Sequence, residues 1–342
     1  MSKLRLGLIV IAAILGIMAA WLGWTLWAPL RSDQIVLKVN PGDTASTIAD
    51  KLAKQGIIRS RGMFTLLAKL RGTDRKLHAG SYSFGGYYSL MNTVSMLEKG
   101  NTEAIRVTFP EGFSLDKALR RLDRTGLADY QALKALAADS AFVHRLTGMD
   151  VPSLEGFLYP DTYHYQIGTP VDSLLAIPVR RFFEVLANSG YHPKTHPEFY
   201  QRLILASLVE QESGGAEEMP LVASVFLNRL GRSMRLESCS SVDYLLEQRG
   251  NRREVLTYAD LADPSPYNTY RHGGLPPTPI CNPSITAIKA ALTPPQTNYL
   301  YFVSNRRGGN DFSATYQEHL RKKAMYGDRR FGEGLTPESG AK

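Results

Sequence analysis

The sequence predicts an α+β protein in three parts: an N-terminal transmembrane helix (6–30), a small α/β domain (33–104) and a larger mixed α+β domain (105–328). Three observations predict it. A long uncharged stretch lies near the N-terminus, a strand–turn–helix pattern recurs after it, and helical periodicity dominates the second half. A short cytoplasmic tail (1–5) and a flexible C-terminal tail (329–342), rich in Gly and charge, complete the chain.

Residues Leu6 to Leu30 form 25 consecutive positions without a charge, enough to cross a hydrocarbon core with some tilt. Lys3, Arg5 and the terminal amine precede the stretch, while Arg31 and Asp33 nearly cancel after it. The positive-inside rule therefore leaves the N-terminus in the cytoplasm and exports the rest. All 3 tryptophans, Trp21, Trp24 and Trp27, fall near the outer end as an interfacial belt. A cleaved leader would have a shorter apolar region ending in small residues. This one ends in Trp-Ala-Pro and reads as a retained single-pass anchor in the inner (cytoplasmic) membrane.

The 342 residues leave room for two compact domains beyond the anchor, and 44% hydrophobic content suits a globular protein. The net charge of +8 is compatible with anionic lipids or acidic wall polymers. No basic run with interleaved aromatics appears, which argues against a nucleic-acid partner. The 2 cysteines, Cys239 and Cys281, both lie in the exported part. There a disulfide is permitted, worth about 3–4 kcal/mol; two free thiols are the open alternative. No CxxC or HExxH spacing occurs, and Pro193 and Pro197 forbid the helix that would align His192 with His196. Neither a metal nor an organic cofactor is expected.

After the anchor, Val36 to Ile57 reads as strand, turn, helix: Val36-Leu37-Lys38-Val39, the turn Pro41-Gly42-Asp43-Thr44, then Ala45, Ile48, Ala49 and Leu52 at helical spacing. The pattern returns at Val107 to Leu127. Thr44 and Ser114 stand two residues past Gly42 and Gly112, Ile48 and Ala118 six past, Leu52 and Leu122 ten past, Gly56 and Gly126 fourteen past. A looser copy runs from Ser81 to Gly100, its helix opened by Ser89. One such unit cannot bury its apolar face alone, so adjacent copies are expected to pack together. Val36-x-x-Val39-x-x-Gly42-Asp43-Thr44, with Ile48-Ala49-x-x-Leu52, resembles the opening of a LysM module. That resemblance implies either binding of N-acetylglucosamine-containing glycans or a LysM-like spacer.

Pro197 opens a second helix-rich region. On a helix from Glu198 to Gly214, Ile204, Leu205, Leu208 and Val209 share one face at about 100° per residue. Glu212 falls within roughly 10° of that face's centre and Glu210 roughly 170° away. A carboxyl partly removed from water holds its proton more readily. A protonated acid at neutral pH is what cleavage of a glycosidic bond requires. A structural carboxylate satisfied by an arginine or a loop amide fits the same pattern.

The surrounding motifs narrow the choice. Leu154-Glu155-Gly156-Phe157-Leu158-Tyr159-Pro160-Asp161-Thr162-Tyr163 comes first, then Leu205-Ala206-Ser207-Leu208-Val209-Glu210-Gln211-Glu212-Ser213 and Val222-Ala223-Ser224-Val225-Phe226-Leu227-Asn228-Arg229-Leu230. Met234-Arg235-Leu236, Pro266-Tyr267-Asn268-Thr269-Tyr270, Gly274-Leu275-Pro276-Pro277 and Tyr299-Leu300-Tyr301-Phe302-Val303 follow. In this order, from Val36 to Tyr326, the chain resembles the YceG-like (MltG) endolytic murein transglycosylases. The resemblance implies Glu212 as the catalytic residue. Where many members have an Asp-Pro pair, this chain has Cys239-Ser240, so no role is assigned to Cys239.

Enzymes of that class cut between N-acetylmuramic acid and N-acetylglucosamine without water, the muramic 6-hydroxyl closing a 1,6-anhydro ring. One carboxyl serves twice, protonating the leaving oxygen and then accepting the hydroxyl proton. A hydrolytic muramidase of the same fold needs a second carboxyl; Glu155, Asp161 and Asp243 are the candidates. A non-catalytic wall-binding scaffold is the reading from another class. Glu155, Tyr159, Ser213, Tyr267, Asn268, Tyr270 and Tyr301 are expected to bind substrate, since tyrosine offers an apolar face with a polar tip and asparagine both donates and accepts. Each also has an ordinary structural reading. Asn228 and Arg229 are expected to brace Glu212 or its loop. The resemblance further implies action on nascent strands, beside peptidoglycan synthases, limiting strand length.

Overall fold

The computed structural model describes residues 3–74, 76–100, 104–166, 169–193, 198–251 and 255–326, with backbone alone at 3–12, 19, 31–34 and 85–86. His196 and the expected tail, 329–342, lie outside the described residues. The chain divides into two units, Met1–Arg106 with His164–Thr169, and Val107–Tyr163 with Pro170–Lys342.

In the first unit, α1 (Lys3–Trp27) is followed by β1 (Leu30–Val39), α2 (Ala45–Lys54), α3 (Arg61–Leu70), β2 (Gly80–Tyr88) and α4 (Leu90–Lys99). The first helix stops at Trp27, short of Leu30, because Pro29 has no N–H to continue it. Leu30 instead opens a strand that starts well before Val36. Ile14, Leu15, Ile17, Met18, Trp21, Leu22, Trp24 and Trp27 of α1 are exposed. Among the described residues, no helix is long and apolar enough to cross a membrane. The expected span, 6–30, falls in part on residues whose side chains are not described.

β1 and β2 pair antiparallel, Leu37 opposite Tyr82 and Val39 opposite Gly80, with a register shift between Ser32 and Ile35. Leu37, Val39, Ile48, Leu52, Phe64, Tyr82, Phe84, Val94 and Leu97 close one core. Each such side chain contributes about 1.5–3 kcal/mol on burial. The recurrent hydroxyls are helix caps: Thr44, Ser89 and Ser114 accept from the N–H three residues on, at 3.2, 3.2 and 3.3 Å. Ile48, Leu52, Ala118 and Leu122 are all buried as the repeat requires. The 36–57 copy falls in the first unit and the 107–127 copy in the second. The core of the first unit unites the 36–57 copy with the looser one.

β3 (Ala104–Thr108) and β4 (Thr162–Gln166) pair, each passing from one unit into the other. The second unit continues with α5 (Leu115–Arg124), α6 (Tyr130–Ala137), α7 (Ser140–Thr147), α8 (Val171–Asn188), α9 (Phe199–Glu212), α10 (Met219–Gly231), α11 (Cys239–Gln248), α12 (Tyr258–Leu261), α13 (Ile285–Leu292), β5 (Tyr301–Ser304), β6 (Asn310–Ser313) and α14 (Tyr316–Tyr326). β5 and β6 form an antiparallel hairpin.

α9 is the axis of this unit, packed by α10, α11 and α13. The sequence places one apolar stripe on it; the structure buries every side chain from Leu203 to Val209. Neighbours on several sides leave only Gln201 and Gln211 of this helix exposed. Glu210 and Glu212 are consequently both half-buried, and facing alone does not separate them.

Candidate active site

Glu212 is the last residue of α9, and its surroundings set it apart from the other carboxylates. Oε1 accepts from Ser238 Oγ at 2.7 Å and from the Ser240 amide at 3.2 Å. Ser238 is the residue capping α11, and its own side chain makes no capping bond. The carboxylate of Glu212 thus takes the place of a cap acceptor, meeting the unpaired amides and partial positive charge of a helix N-terminus. Because Ser238 gives its hydrogen to Glu212, the 2.7 Å contact between the hydroxyls of Ser238 and Ser240 is donated by Ser240.

Ser238 is itself fixed. Its amide donates to Thr269 Oγ1 at 3.0 Å, and its carbonyl accepts from Ser241 Oγ at 2.8 Å. The residue before it, Glu237, stands at φ 52°, a left-handed conformation unusual for a side chain with Cβ. Such residues persist where the surroundings over-determine them. Here the Glu237 amide donates to Thr269 O at 3.2 Å, and its carboxylate pairs with Arg229 at 3.1 Å.

The backbone beyond Glu212 is held by close approach. Ser213 ends α9, its amide donating to Val209 O at 3.1 Å. Gly214 lies against the β5–β6 turn, where a Cβ would stand 2.1 Å from Gly308 O. Only glycine allows that approach. Glu218 accepts from the Asn310 amide at 2.6 Å and the Gly214 amide at 3.3 Å, while Asn310 Nδ2 donates to Glu212 O at 3.1 Å.

The other expected site residues are dispersed. Tyr270 and Tyr301 line one cavity of about 200 Å³ with Arg229, Leu236, Glu237 and His319. Tyr301 stacks on His319 at 5.2 Å and takes the Arg229 guanidinium over its ring at 5.2 Å. Ser213 Oγ, beside Glu212, is buried with no hydrogen-bond partner among the described residues. Tyr267 packs on Tyr244 at 5.4 Å and contacts Thr278 Oγ1 at 2.9 Å. Tyr159 lies elsewhere, under Arg181, its amide donating to Pro178 O.

Two expectations change in kind. Asn268 is fully buried: Nδ2 donates to Leu261 O and Asp263 O, and Oδ1 accepts from the Tyr270 amide. Its hydrogen-bonding capacity shapes the loop, leaving no face for a sugar. Glu155 is 3% exposed and accepts from the Leu115 amide at 2.8 Å and Tyr244 OH at 3.1 Å. Burial pushes its carboxyl up to about 8, against the pull of those two donors. It anchors the start of α5 and does not reach an open surface. Asp161 pairs with Arg181 at 3.2 Å, and Asp243 lies within α11. Glu210 accepts from the amide and hydroxyl of Ser284, at 2.9 and 2.6 Å, and so caps α13 from outside. Burial raises its pKa in spite of both bonds.

Asn228 and Arg229 each hold backbone of distant segments. Asn228 donates to Thr297 O and Tyr299 O. Arg229 donates to Leu300 O, Arg235 O and Leu236 O, fixing the strand of chain that leads to Ser238. Cys239 and Cys281 form no disulfide. Cys239 Sγ contacts Tyr270 OH at 3.1 Å, and Cys281 Sγ donates to Ser207 O at 3.3 Å. The residues missed by the sequence reading are Ser238 and Ser240. Their signal was the hydroxyl-rich run Ser238-Cys239-Ser240-Ser241, a helix-start pattern.

The YceG-like family model matches residues 37–325. An endolytic murein transglycosylase of Bacillus subtilis is 29% identical over 325 residues, spanning 89% of each chain. One from Streptococcus pneumoniae D39 is 28% identical over 85% of this chain, which spans 58% of that relative's length. A 2.6 Å crystal structure of a yceG-like protein from Listeria monocytogenes superposes with a TM-score of 0.57 at 27% identity, covering 84% of this chain and 98% of that one. The chain belongs to the YceG-like family.

Proposed function

We propose that the chain is an endolytic murein transglycosylase in which Glu212 is the catalytic residue. It cleaves the bond between N-acetylmuramic acid and N-acetylglucosamine in peptidoglycan and leaves 1,6-anhydro ends. One observation carries the assignment: the hydroxyl of Ser238 and the amide of Ser240 hold Oε1 of Glu212 where α9 ends and α11 begins. Those donors orient the acid. It protonates the bridging oxygen as the bond to C1 breaks, then takes the proton of the 6-hydroxyl as that oxygen closes on C1.

The fate of the other carboxylates favours this single-acid route over hydrolysis. Glu155, Glu210 and Glu218 each accept backbone amides that organise helix ends or turns. A retaining or inverting glycosidase needs a second carboxyl facing the same bond. Purified murein digested by the enzyme should yield muropeptides one water lighter than their hydrolysed counterparts. Ordinary reducing ends alone would exclude the transglycosylase route.

The remaining parts complete the proposal. The exposed apolar side chains of α1 fit a single-pass anchor in the inner membrane, N-terminus in the cytoplasm. The first unit, LysM-like, binds glycan; a cavity of about 550 Å³ lined by Asp43, Thr44, Ser46, Thr65, Lys69 and Asp74 at its turn supports this. Cutting nascent strands beside the synthases would limit strand length. Failure of the protein to sediment with membranes after alkaline washing would remove the anchor.

A further inference from the structure

A third cavity, of about 530 Å³, lies beside the end of α9 and plays no part in the chemistry above. Lys117, Arg120, Arg121 and Arg124 line it from α5, facing Glu111 and the pair Glu210-Gln211. At intervals of three and four, the four cations form one stripe along that helix, opposite the buried Ala118, Leu119 and Leu122. The floor is firmly built. Gln211 Nε2 donates to Gly112 O at 2.7 Å, and Asn282 ties Phe113 through its amide at 2.7 Å and its Nδ2 at 2.9 Å.

Several of these cations are partly engaged. Lys117 pairs with Glu247, Arg120 with Asp116 at 2.6 Å, and Arg121 donates to Thr108 O at 2.8 Å. Arg124 is exposed and makes no ion pair or hydrogen bond among the described residues. Of the two acidic wall residues, Glu210 is spent on the amide and hydroxyl of Ser284. Arg121 and Arg124 pair with no carboxylate among the described residues, and guanidinium forks match carboxylate geometry.

Resting on the reading above, we propose that this cavity binds the carboxylates of the stem peptide carried by the muramic acid at the cut. Glu210 and Gln211 line the cavity, and Glu212 follows on the same helix. A helix end is about 10 Å across. A peptide extends about 3.5 Å per residue, so a four-residue stem covers roughly 14 Å and rounds the end of α9. The site would make the enzyme prefer peptide-bearing strands to stripped ones.

The test is binding by the full-length protein in detergent, using probes with no glycosidic bond to cut, so the result does not depend on catalysis. N-acetylmuramoyl tripeptide should bind about tenfold tighter than N-acetylmuramic acid, an advantage that shrinks with salt. Arg120→Gln with Arg124→Gln should reduce the advantage to within about twofold, at unchanged Tm. Equal affinity for the two probes, or an advantage that survives in the variant, would overturn the proposal. So would pyrophosphate binding more tightly than the muramoyl peptide through the same arginines, which would assign the cavity to a lipid-borne diphosphate. Failure of the catalytic reading would show instead as missing 1,6-anhydro products.

Discussion

The hydroxyl of Ser238 lies 2.7 Å from Oε1 of Glu212, and with the Ser240 amide it joins the end of α9 to the start of α11. Removing one partner of a part-buried hydrogen bond costs about 1–3 kcal/mol. Ser238→Ala should therefore lower kcat by about ten- to a hundredfold, with KM changed much less. Steady-state kinetics on uncrosslinked strands checks this; a raised KM at constant kcat would place Ser238 on substrate instead.

Glu210→Gln separates the neighbouring carboxylates. It weakens the bonds to Ser284 that start α13. The expected loss is about 1 kcal/mol of stability, or 2–4 °C in Tm for a unit of this size. The rate of strand cleavage should stay within about threefold of wild type, since general acid catalysis is worth far more.

Gly214→Ala probes the loop behind the site. Its new Cβ would stand 2.1 Å from a backbone oxygen, which no side-chain rotation relieves. Thermal unfolding should show a loss of about 1–3 kcal/mol, and activity should fall with it. An unchanged Tm would show that the β5–β6 turn gives way freely.

Glu155 has a carboxyl near 8 in the folded protein and an ordinary one in the unfolded chain. The folded state then binds more protons between those values. This contribution to stability is fully present below the ordinary carboxyl range and is lost as pH rises through about 8. Glu155→Gln should flatten that part of the Tm–pH profile between pH 5 and 8. An identical slope in the variant would mean another group is responsible.

The two thiols make a redox prediction. Cys239 and Cys281 contact Tyr270 and Ser207, respectively, and do not bond each other. Adding dithiothreitol should leave Tm unchanged, whereas a drop of several degrees would reveal a disulfide.

Local signals were legible in the sequence where one short segment determines the outcome. The hydroxyls Thr44, Ser89 and Ser114 are caps because a cap needs only its own next turn. Gly112 and Gly126 adopt positive φ as their places in the repeat require. Features made by distant segments were not legible. The sequence puts Ile204, Leu205, Leu208 and Val209 on one face of α9, yet Leu203, Ala206 and Ser207 are buried too, because α10, α11 and α13 all pack on the helix. Asn268 looked like a sugar ligand because sequence shows its donors and acceptor, not the carbonyls of Leu261 and Asp263 that consume them. Ser238 was missed for the converse reason: its partner lies 26 positions away.

The most direct test is the rate of strand cleavage by Glu212→Gln, measured beside its Tm. Glutamine keeps the volume and an acceptor for Ser238 but has no proton to give. The account predicts a fall of about 10²–10⁴-fold with Tm within a few degrees of wild type. Cleavage at the wild-type rate by the folded variant would contradict it.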